Sequence, residues 1–252
     1  MKQKLLFYIL VCCMSATTAK AQIGEHRDEF AVGVSGGYIM SSINFQPEVT
    51  QRQLGGTIGG VTFRYTTEKY FSSVCAIVGE VNYAQIGWKQ KILDLQDQPV
   101  INSVTGMAEE YQRRINYIQV PILARLGWGR ERNGVQFFFQ AGPQIGFFLN
   151  EKTEANYDLS QRNLSDRTSK VVNQETMPVE NKFDYGITGG IGLEYSHPVI
   201  GHFMVEARYY YGLGNIYGNT KRDYFGRSNF SNIVIKASYL FDIAKTKNNK
   251  IK

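Results

Sequence analysis

Long apolar runs are scarce in this 252-residue sequence, and that scarcity excludes one class of membrane protein. The apolar stretch from Leu5 to Met14 is too short for a membrane-spanning helix. No stretch of about 18 apolar residues follows it. We therefore expect no helical membrane anchor.

Cysteine is also scarce, with three residues in the whole chain. A charged start, a short apolar stretch and small residues before Gln22 predict a signal peptide over residues 1–21, with cleavage after Ala21. Cleavage would remove Cys12 and Cys13 and leave Cys75 alone. We expect no internal disulfide in the mature protein.

The formal net charge of +6 describes the uncleaved chain and is larger than the net charge of the mature protein. The signal takes away three cations, and the four lysines of the C-terminal tail account for more than the remaining excess. The rest of the mature chain is then nearly neutral, so no face favours nucleic acid. The cations concerned are Lys2, Lys4 and Lys20 in the signal and Lys245, Lys247, Lys250 and Lys252 in the tail.

What the chain does have is alternation of apolar and polar residues. Between Val135 and Phe147 every odd position is apolar, while the even positions include Gln136, Gln140 and Gln144. This alternation is typical of a strand with one apolar face. Similar segments recur without a helical pattern to cover them, so lipid is the natural solvent for their apolar faces.

Eight such segments predict an all-β fold, namely an eight-stranded antiparallel up-and-down transmembrane β-barrel. Its predicted span is residues 30–241, preceded by an N-terminal extension at 22–29 and followed by a basic polar tail at 242–252. The segments are Phe30–Met40, Leu54–Thr66, Phe71–Lys89, Arg113–Trp128, Val135–Phe148, Phe183–Tyr195, His202–Leu213 and Asn232–Phe241.

The predicted connections alternate between short turns and long polar loops. Short periplasmic turns and longer external loops are typical of outer-membrane barrels, and an even strand number places both termini in the periplasm. The longest loop, Asn150–Lys182, is charged and poor in large apolar residues, so we expect it to be mobile and available for partner contacts. The short connections are Thr67–Tyr70, Gly129–Gly134 and Ser196–Gly201; the other long ones are Ser41–Gln53, Gln90–Gln112 and Gly214–Ser231.

Alternation also assigns polar side chains to the barrel interior. An eight-stranded barrel has room only for its own side chains, so interior charges are expected to pair and form a plug. We expect Arg64, Arg125 and Lys236 to meet Glu194 and Glu206; an ion or proton path is the alternative. The predicted structural network comprises Arg64, Glu80, Arg125, Gln140, Glu194, Glu206, Arg208 and Lys236, within an inward set that also includes Asn82, Gln119, Gln136, Gln144, Thr188 and Ser238.

The number and positions of the histidines argue against catalysis. His26, His197 and His202 are the only histidines, and all fall on the predicted periplasmic side. No histidine is then available as a general base at the outer leaflet or beyond it. We therefore expect no enzymatic activity, no catalytic residues, no cofactor and no metal site.

Three motifs give the sequence a family resemblance. The stretches Ile115–Arg125, Val81–Lys89 and Gln140–Gly146 resemble the fourth, third and fifth strands of the PorT-like outer-membrane β-barrel family. The resemblance implies a small eight-stranded barrel in the cell outer membrane of a Gram-negative bacterium, inserted by the barrel assembly machinery. It carries over no catalytic residue. Because PorT is associated with type IX protein secretion, the resemblance also implies secretion-system proteins as partners.

The function predicted from these observations is a structural or interaction role. We expect a monomer surrounded by outer-membrane lipid, with a plugged polar interior and external loops available for binding. Two alternatives stay open: an accessory component of type IX secretion, and a narrow porin-like channel.

Overall fold

Eight antiparallel strands close into a barrel in the computed structural model, which describes residues 25–102, 104–159, 164–218 and 223–245. Each strand pairs with its sequence neighbours, and β8 pairs with β1. This confirms the predicted eight-stranded up-and-down barrel. The strands are β1 (Glu25–Gln46), β2 (Gln51–Tyr70), β3 (Ser73–Lys91), β4 (Glu110–Gly129), β5 (Gly134–Ala155), β6 (Phe183–His197), β7 (Gly201–Gly212) and β8 (Arg227–Ala244).

The two ends of the barrel differ in their connections. At the turn end the strands are joined by the β2–β3, β4–β5 and β6–β7 turns, and both β1 and β8 have their terminal ends there. At the loop end the three long connections are the β3–β4, β5–β6 and β7–β8 loops (92–109, 156–182 and 213–226), which we call the loop cap. Within the described ranges, no helix has the length and apolarity needed to cross a membrane.

Several strands are longer than the predicted segments. β1 begins at Glu25 and ends at Gln46, so residues 25–29 belong to the barrel rather than to an extension. The predicted loop Ser41–Gln53 shrinks to residues 47–50, because the backbone ladder with β8 continues through polar positions as far as Arg227. β8 likewise takes in 242–244 of the predicted tail. The predicted signal at 1–21 lies outside the described residues.

The outward faces carry the apolar residues that alternation assigns to them. Ile122 is 55% exposed and Phe139 is 44% exposed, although both are large and apolar. On β4 the outward apolar residues run from Trp128 to Ile118, and ten residues of a strand tilted by about 40° rise roughly 25 Å. That height equals the apolar band of an outer-membrane barrel.

Beyond this band the polarity of the two faces reverses. On β3 the outward residues change from apolar at Tyr83 to polar at Gln85, while the inward residues change from polar at Asn82 to apolar at Ile86 and Trp88. The same reversal occurs on β1 and β4. The outside of the barrel there meets water and headgroups, so the apolar side chains turn inward.

The expectation of a polar interior is therefore correct for only one half of the barrel. The half nearer the loop end has an apolar core, in which Phe45 lies 5.4 Å from Trp88 and 5.0 Å from Phe225 between ring centroids. Buried members of this core include Ile39, Ile43, Ile58, Ile86, Ile115, Tyr117, Tyr210, Tyr217, Phe230 and Val234.

Candidate functional site: the filled interior and the loop cap

Two ion-pair clusters fill the half of the barrel nearer the turn end. In the first, Glu80 accepts hydrogen bonds from Arg208 Nη1 at 2.9 Å and from Lys236 Nζ at 2.7 Å. Glu206 lies 2.7 Å from Arg208 Nη2 and 3.2 Å from Lys236 Nζ, and it also accepts a hydrogen bond from Gln140. Two acids and two cations thus neutralise one another.

The second cluster is centred on Glu194. Arg64 Nη1 donates to both Glu194 oxygens at 2.7 Å, and Arg125 Nη2 donates to one of them. His202 Nδ1 lies 2.7 Å from Glu194 Oε1, and Ser196 Oγ donates to the same oxygen at 3.0 Å. All five side chains are buried, so the carboxylate and the cations depend on one another inside the barrel.

The structure places all eight residues of the predicted network inside the barrel and divides them between two clusters. Arg64 and Arg125 reach Glu194, whereas Lys236 reaches Glu206 and also Glu80. Lys236 pairs directly with Glu206 across the β7–β8 ladder, while Arg64 meets Glu194 across the lumen. Alternation assigns a side chain to the lumen but does not give its height or its angular position.

Sequence reasoning missed the part that His202 plays in the second cluster. Its Nε2 lies 3.0 Å from both carboxylate oxygens of Asp242, and its Nδ1 lies 2.8 Å from Ser196 Oγ. The even position of His202 on β7 was the available signal, because even positions of that strand face inward. From the sequence alone, His202 is placed only at the start of the seventh segment, on the predicted periplasmic side.

Ser196, His202 and Asp242 form a hydrogen-bonded set of the kind that hydrolases use. The Ser196 hydroxyl is 1% exposed, and the carboxylate of Glu194, itself paired with two arginines, accepts its hydrogen bond. A substrate carbonyl has no access to that oxygen. The arrangement is suited to holding β6, β7 and β8 together.

The turn end is closed by the β4–β5 turn. Glu131 in this turn lies 3.4 Å from Arg27 Nε of β1 and also pairs with Lys69 of β2. Arg132 Nη2 lies 2.6 Å from Glu29 Oε1. These contacts join a turn on one side of the barrel to the strands on the other side, so charged side chains cover this opening.

A small void separates the polar half from the apolar half. Its volume is about 10 Å³, and Asn82, Arg208, Asn232 and Lys236 lie in its wall. A void of this size holds about one water molecule. Neither amide atom of Asn232 has a hydrogen-bond partner among the described residues, so a single bound water would satisfy it.

The β5–β6 loop packs over the loop end, and the prediction that it is a mobile polar loop is wrong for the part that the structure describes. In the short 3₁₀ helix Asn173–Glu175, both Gln174 and Glu175 are buried. The Tyr111 hydroxyl donates to the carbonyls of Gln174 and Glu175, and the Tyr217 hydroxyl donates to that of Gln174. Barrel side chains therefore bind the loop through its backbone.

Arg113 and Arg167 complete the attachment of the loop. Arg113 Nη2 donates to the Glu175 carbonyl at 3.1 Å. Arg167 bridges Glu175 at 2.9 Å and Glu109 of the β3–β4 loop at 2.7 Å, and its guanidinium lies 4.9 Å from the ring centroid of Tyr157. Burial opposes the charge of Arg167, but the Glu109 hydrogen bond and the charge of Glu175 outweigh it and raise its pKa.

The outer surface of the loop cap is partly apolar. The β3–β4 loop folds back on itself through the bridges Leu93–Pro99 and Ile101–Ala108. A cleft of about 400 Å³ lies between this loop and Ser165 of the β5–β6 loop. The large exposed apolar side chains of the β3–β4 loop are Leu95, Ile101, Val104 and Met107.

Metal binding finds no support in the described ranges, where no group of three or more histidine, cysteine, aspartate or glutamate side chains is arranged to hold an ion.

The pKa shift of Tyr157 in the loop cap comes mainly from burial. Burial raises the pKa of Tyr157 above its ordinary value, with a further contribution from the charge of Glu175.

Comparison with known proteins gives one family match. Residues 20–218 match the family described as "Outer membrane protein beta-barrel domain". A search of the curated proteins found no significant match.

The solved structures that match this chain include three proteins from bacteria. The attachment invasion locus protein Ail of Yersinia pestis is 15% identical, with 84% of this chain and 99% of that chain covered and a TM-score of 0.36. Neisserial surface protein A is 10% identical, with coverage of 84% and 97% and a TM-score of 0.39. OprG from Pseudomonas aeruginosa is 14% identical, with coverage of 87% and 99% and a TM-score of 0.39. The fold of this chain is defined by its own strand pairing.

Proposed function

The chain belongs to the family of outer membrane protein β-barrel domains, and on that premise we propose that it is a closed, non-enzymatic barrel that acts through interactions at its extracellular loops. Outer-membrane barrels keep their short turns in the periplasm and their longer loops outside. The loop cap then faces the cell exterior. We further propose that the chain is exported by a signal cleaved after Ala21, inserted by the barrel assembly machinery, and active as a monomer in outer-membrane lipid.

The observation that carries this proposal is the filled interior. Ion pairs occupy the periplasmic half, an aromatic core occupies the extracellular half, and the loop cap is attached above that core. An open path would leave these charges without partners, at a cost of several kcal/mol for each ion. The narrow porin-like channel is the alternative that this arrangement disfavours.

Conductance tests the closed barrel. The purified protein would be reconstituted in planar bilayers beside a general porin prepared in the same way. We expect no current above the lipid background, while the porin gives steps of nanosiemens size. Reproducible steps from this protein alone would overturn the proposal.

Site-specific crosslinking in living cells tests which face makes contacts. A photoreactive amino acid would replace Val104, 90% exposed in the β3–β4 loop, or Val199, 87% exposed in the β6–β7 turn. We expect a discrete adduct from position 104 and none from position 199. The reverse result would contradict the proposal and favour a periplasmic role.

The type IX secretion role implied by the PorT-like resemblance is the other candidate. No residue in the described part of the barrel indicates a role in secretion, so the test is genetic. Deletion of the gene is expected to leave protein export unchanged. Loss of exported proteins, together with adducts from the periplasmic turn, would favour the accessory role instead.

A further inference from the structure

The outward face of β3, β4 and β5 is polar above the lipid-facing band, and strand register arranges its residues in rows. In the lowest row Asn116 lies opposite Gln85 on one side and Asn150 on the other. In the next row Arg114 lies opposite Lys152. Two cations thus sit side by side just above a row of amides.

The height of the cationic row is that of the lipid headgroups. Ile118 marks the top of the apolar band on β4, and Arg114 is four residues further along. Four residues of a strand tilted by about 40° rise roughly 10 Å. Arginine and lysine side chains are long enough to bend from there toward the headgroup layer.

The charge in this row is incompletely matched. Arg114 is half-buried, and it has no hydrogen-bond or ion-pair partner among the residues that the structure describes. Lys152 Nζ lies 2.6 Å from Glu154 Oε1, and that carboxylate is also within coulombic reach of Arg114. One exposed acid therefore serves two cations that lie opposite each other, which is an unfavourable arrangement in a sheet.

The neighbour of Arg114 on β3 in the same row is Gly87, which has no side chain that could pair with the guanidinium. One row higher, Lys89 is already paired with Glu110 at 3.0 Å. Arg114 and Lys152 thus share the single carboxylate of Glu154.

The other side of the barrel has no such row. On β1 the outward residues above the band, Ser42 and Asn44, are uncharged, whereas Arg52 of β2 is exposed and lies opposite Lys89. A general attraction to anionic membranes would need cations around the whole circumference. The cations lie on the adjacent strands β2 to β5, which indicates a local site instead.

We propose that Arg114 and Lys152 bind phosphate groups of the glycolipid that forms the outer leaflet of the outer membrane. A phosphate between them would accept charge-assisted hydrogen bonds from both side chains and remove their mutual repulsion. This inference shares with the proposed function only the assignment of the loop end to the exterior. It does not require the barrel to be closed.

The test measures binding of purified lipopolysaccharide to the full-length protein in neutral detergent, for wild type, R114Q, K152Q and the double variant. A cation near an anionic lipid surface contributes to the binding free energy. We therefore expect each single substitution to lower the affinity about fivefold. The double variant is expected to lose about 25-fold. R114K should retain most of the binding.

The matched control is R227Q, because Arg227 is exposed at the extracellular end of β8, away from the row. It should bind like wild type, and a loss equal to that of R114Q would reduce the effect to net charge and overturn the proposal. Phosphatidylglycerol vesicles form the second arm. Equal affinity for phosphatidylglycerol and lipopolysaccharide, or unchanged affinity in the double variant, would also overturn it.

Folding is monitored so that a misfolded variant is not mistaken for lost binding. Each variant is compared with wild type for the shift of its gel mobility on heating, which reports a folded barrel. If R114Q does not fold, K152Q and R114K carry the test. A conducting barrel with normal lipopolysaccharide binding would contradict the proposed function and leave this inference standing.

Discussion

The two halves of the barrel solve the same packing problem with opposite chemistry. In the half nearer the turn end Ile122 points outward into lipid, and Glu80 points inward to Arg208 and Lys236. In the half nearer the loop end Asn116 points outward and Trp88 points inward. The strands and their alternation continue without a break through both halves.

The difference between the halves teaches that the solvent outside decides what lies inside. Where lipid surrounds the barrel, apolar side chains face outward and polar ones are left for the lumen. Where the strands rise above the lipid, the barrel resembles a small soluble one, with its aromatic core inside and the loop cap closing it.

The largest effect should come from removing one acid of the polar half. Glu80→Ala would leave Arg208 and Lys236 with too few acidic partners inside the barrel, and the expected loss is about 3–5 kcal/mol of unfolding free energy. The double variant that also carries Lys236→Ala should lose less, because the charges balance again. Urea unfolding in vesicles measures both, and equal losses would contradict a paired network.

Removal of an aromatic side chain from the half nearer the loop end should lower the unfolding free energy through lost packing alone. Phe230 is fully buried and lies 5.6 Å from Tyr117 between ring centroids, so Phe230→Ala should cost about 3–4 kcal/mol. Phe137, which is 44% exposed to lipid, is the matched control. Its replacement by Ala should cost much less in the same unfolding measurement; comparable costs would remove the distinction between the faces.

A charge added to the outward face separates lipid from headgroups directly. Ile122→Arg should cost about 2–4 kcal/mol and reduce insertion, because its position is near the middle of the band. Asn116→Arg, on the same strand and the same face, should insert almost normally. The fraction with heat-shifted gel mobility measures insertion, and normal insertion of Ile122→Arg would refute the assignment of that face to lipid.

The smallest effect concerns the loop cap at high pH. Burial raises the pKa of Tyr157. The unfolded loop therefore loses this proton at lower pH than the packed loop, and the packing contribution is present below about pH 10 and declines as the pH rises further. Limited proteolysis of the β5–β6 loop should speed up above that pH in wild type and less so in Tyr157→Phe. Identical pH profiles would show that Tyr157 does not anchor the loop.

Much of the barrel could be predicted because strand alternation is a local property. Outward residues such as Ile191 and Val205, and inward residues such as Gln140 and Glu206, follow from their position along one strand. The reversal is also present in the sequence. On β1 the predicted segment ends at Met40, where the outward residues become polar, because a single polarity rule is expected along the whole barrel.

The residues alone determined the strand number, the faces and the lipid-facing surface, because each depends on neighbours two positions away. Tertiary structure decided which charges meet, since Arg64 and Glu194 come from strands far apart in sequence and meet only when the barrel closes. It also decided that Gln174 and Glu175 are buried, because their carbonyls are bound by Tyr111 and Arg113 of a distant strand. Such contacts depend on ring closure and register, which no local pattern encodes.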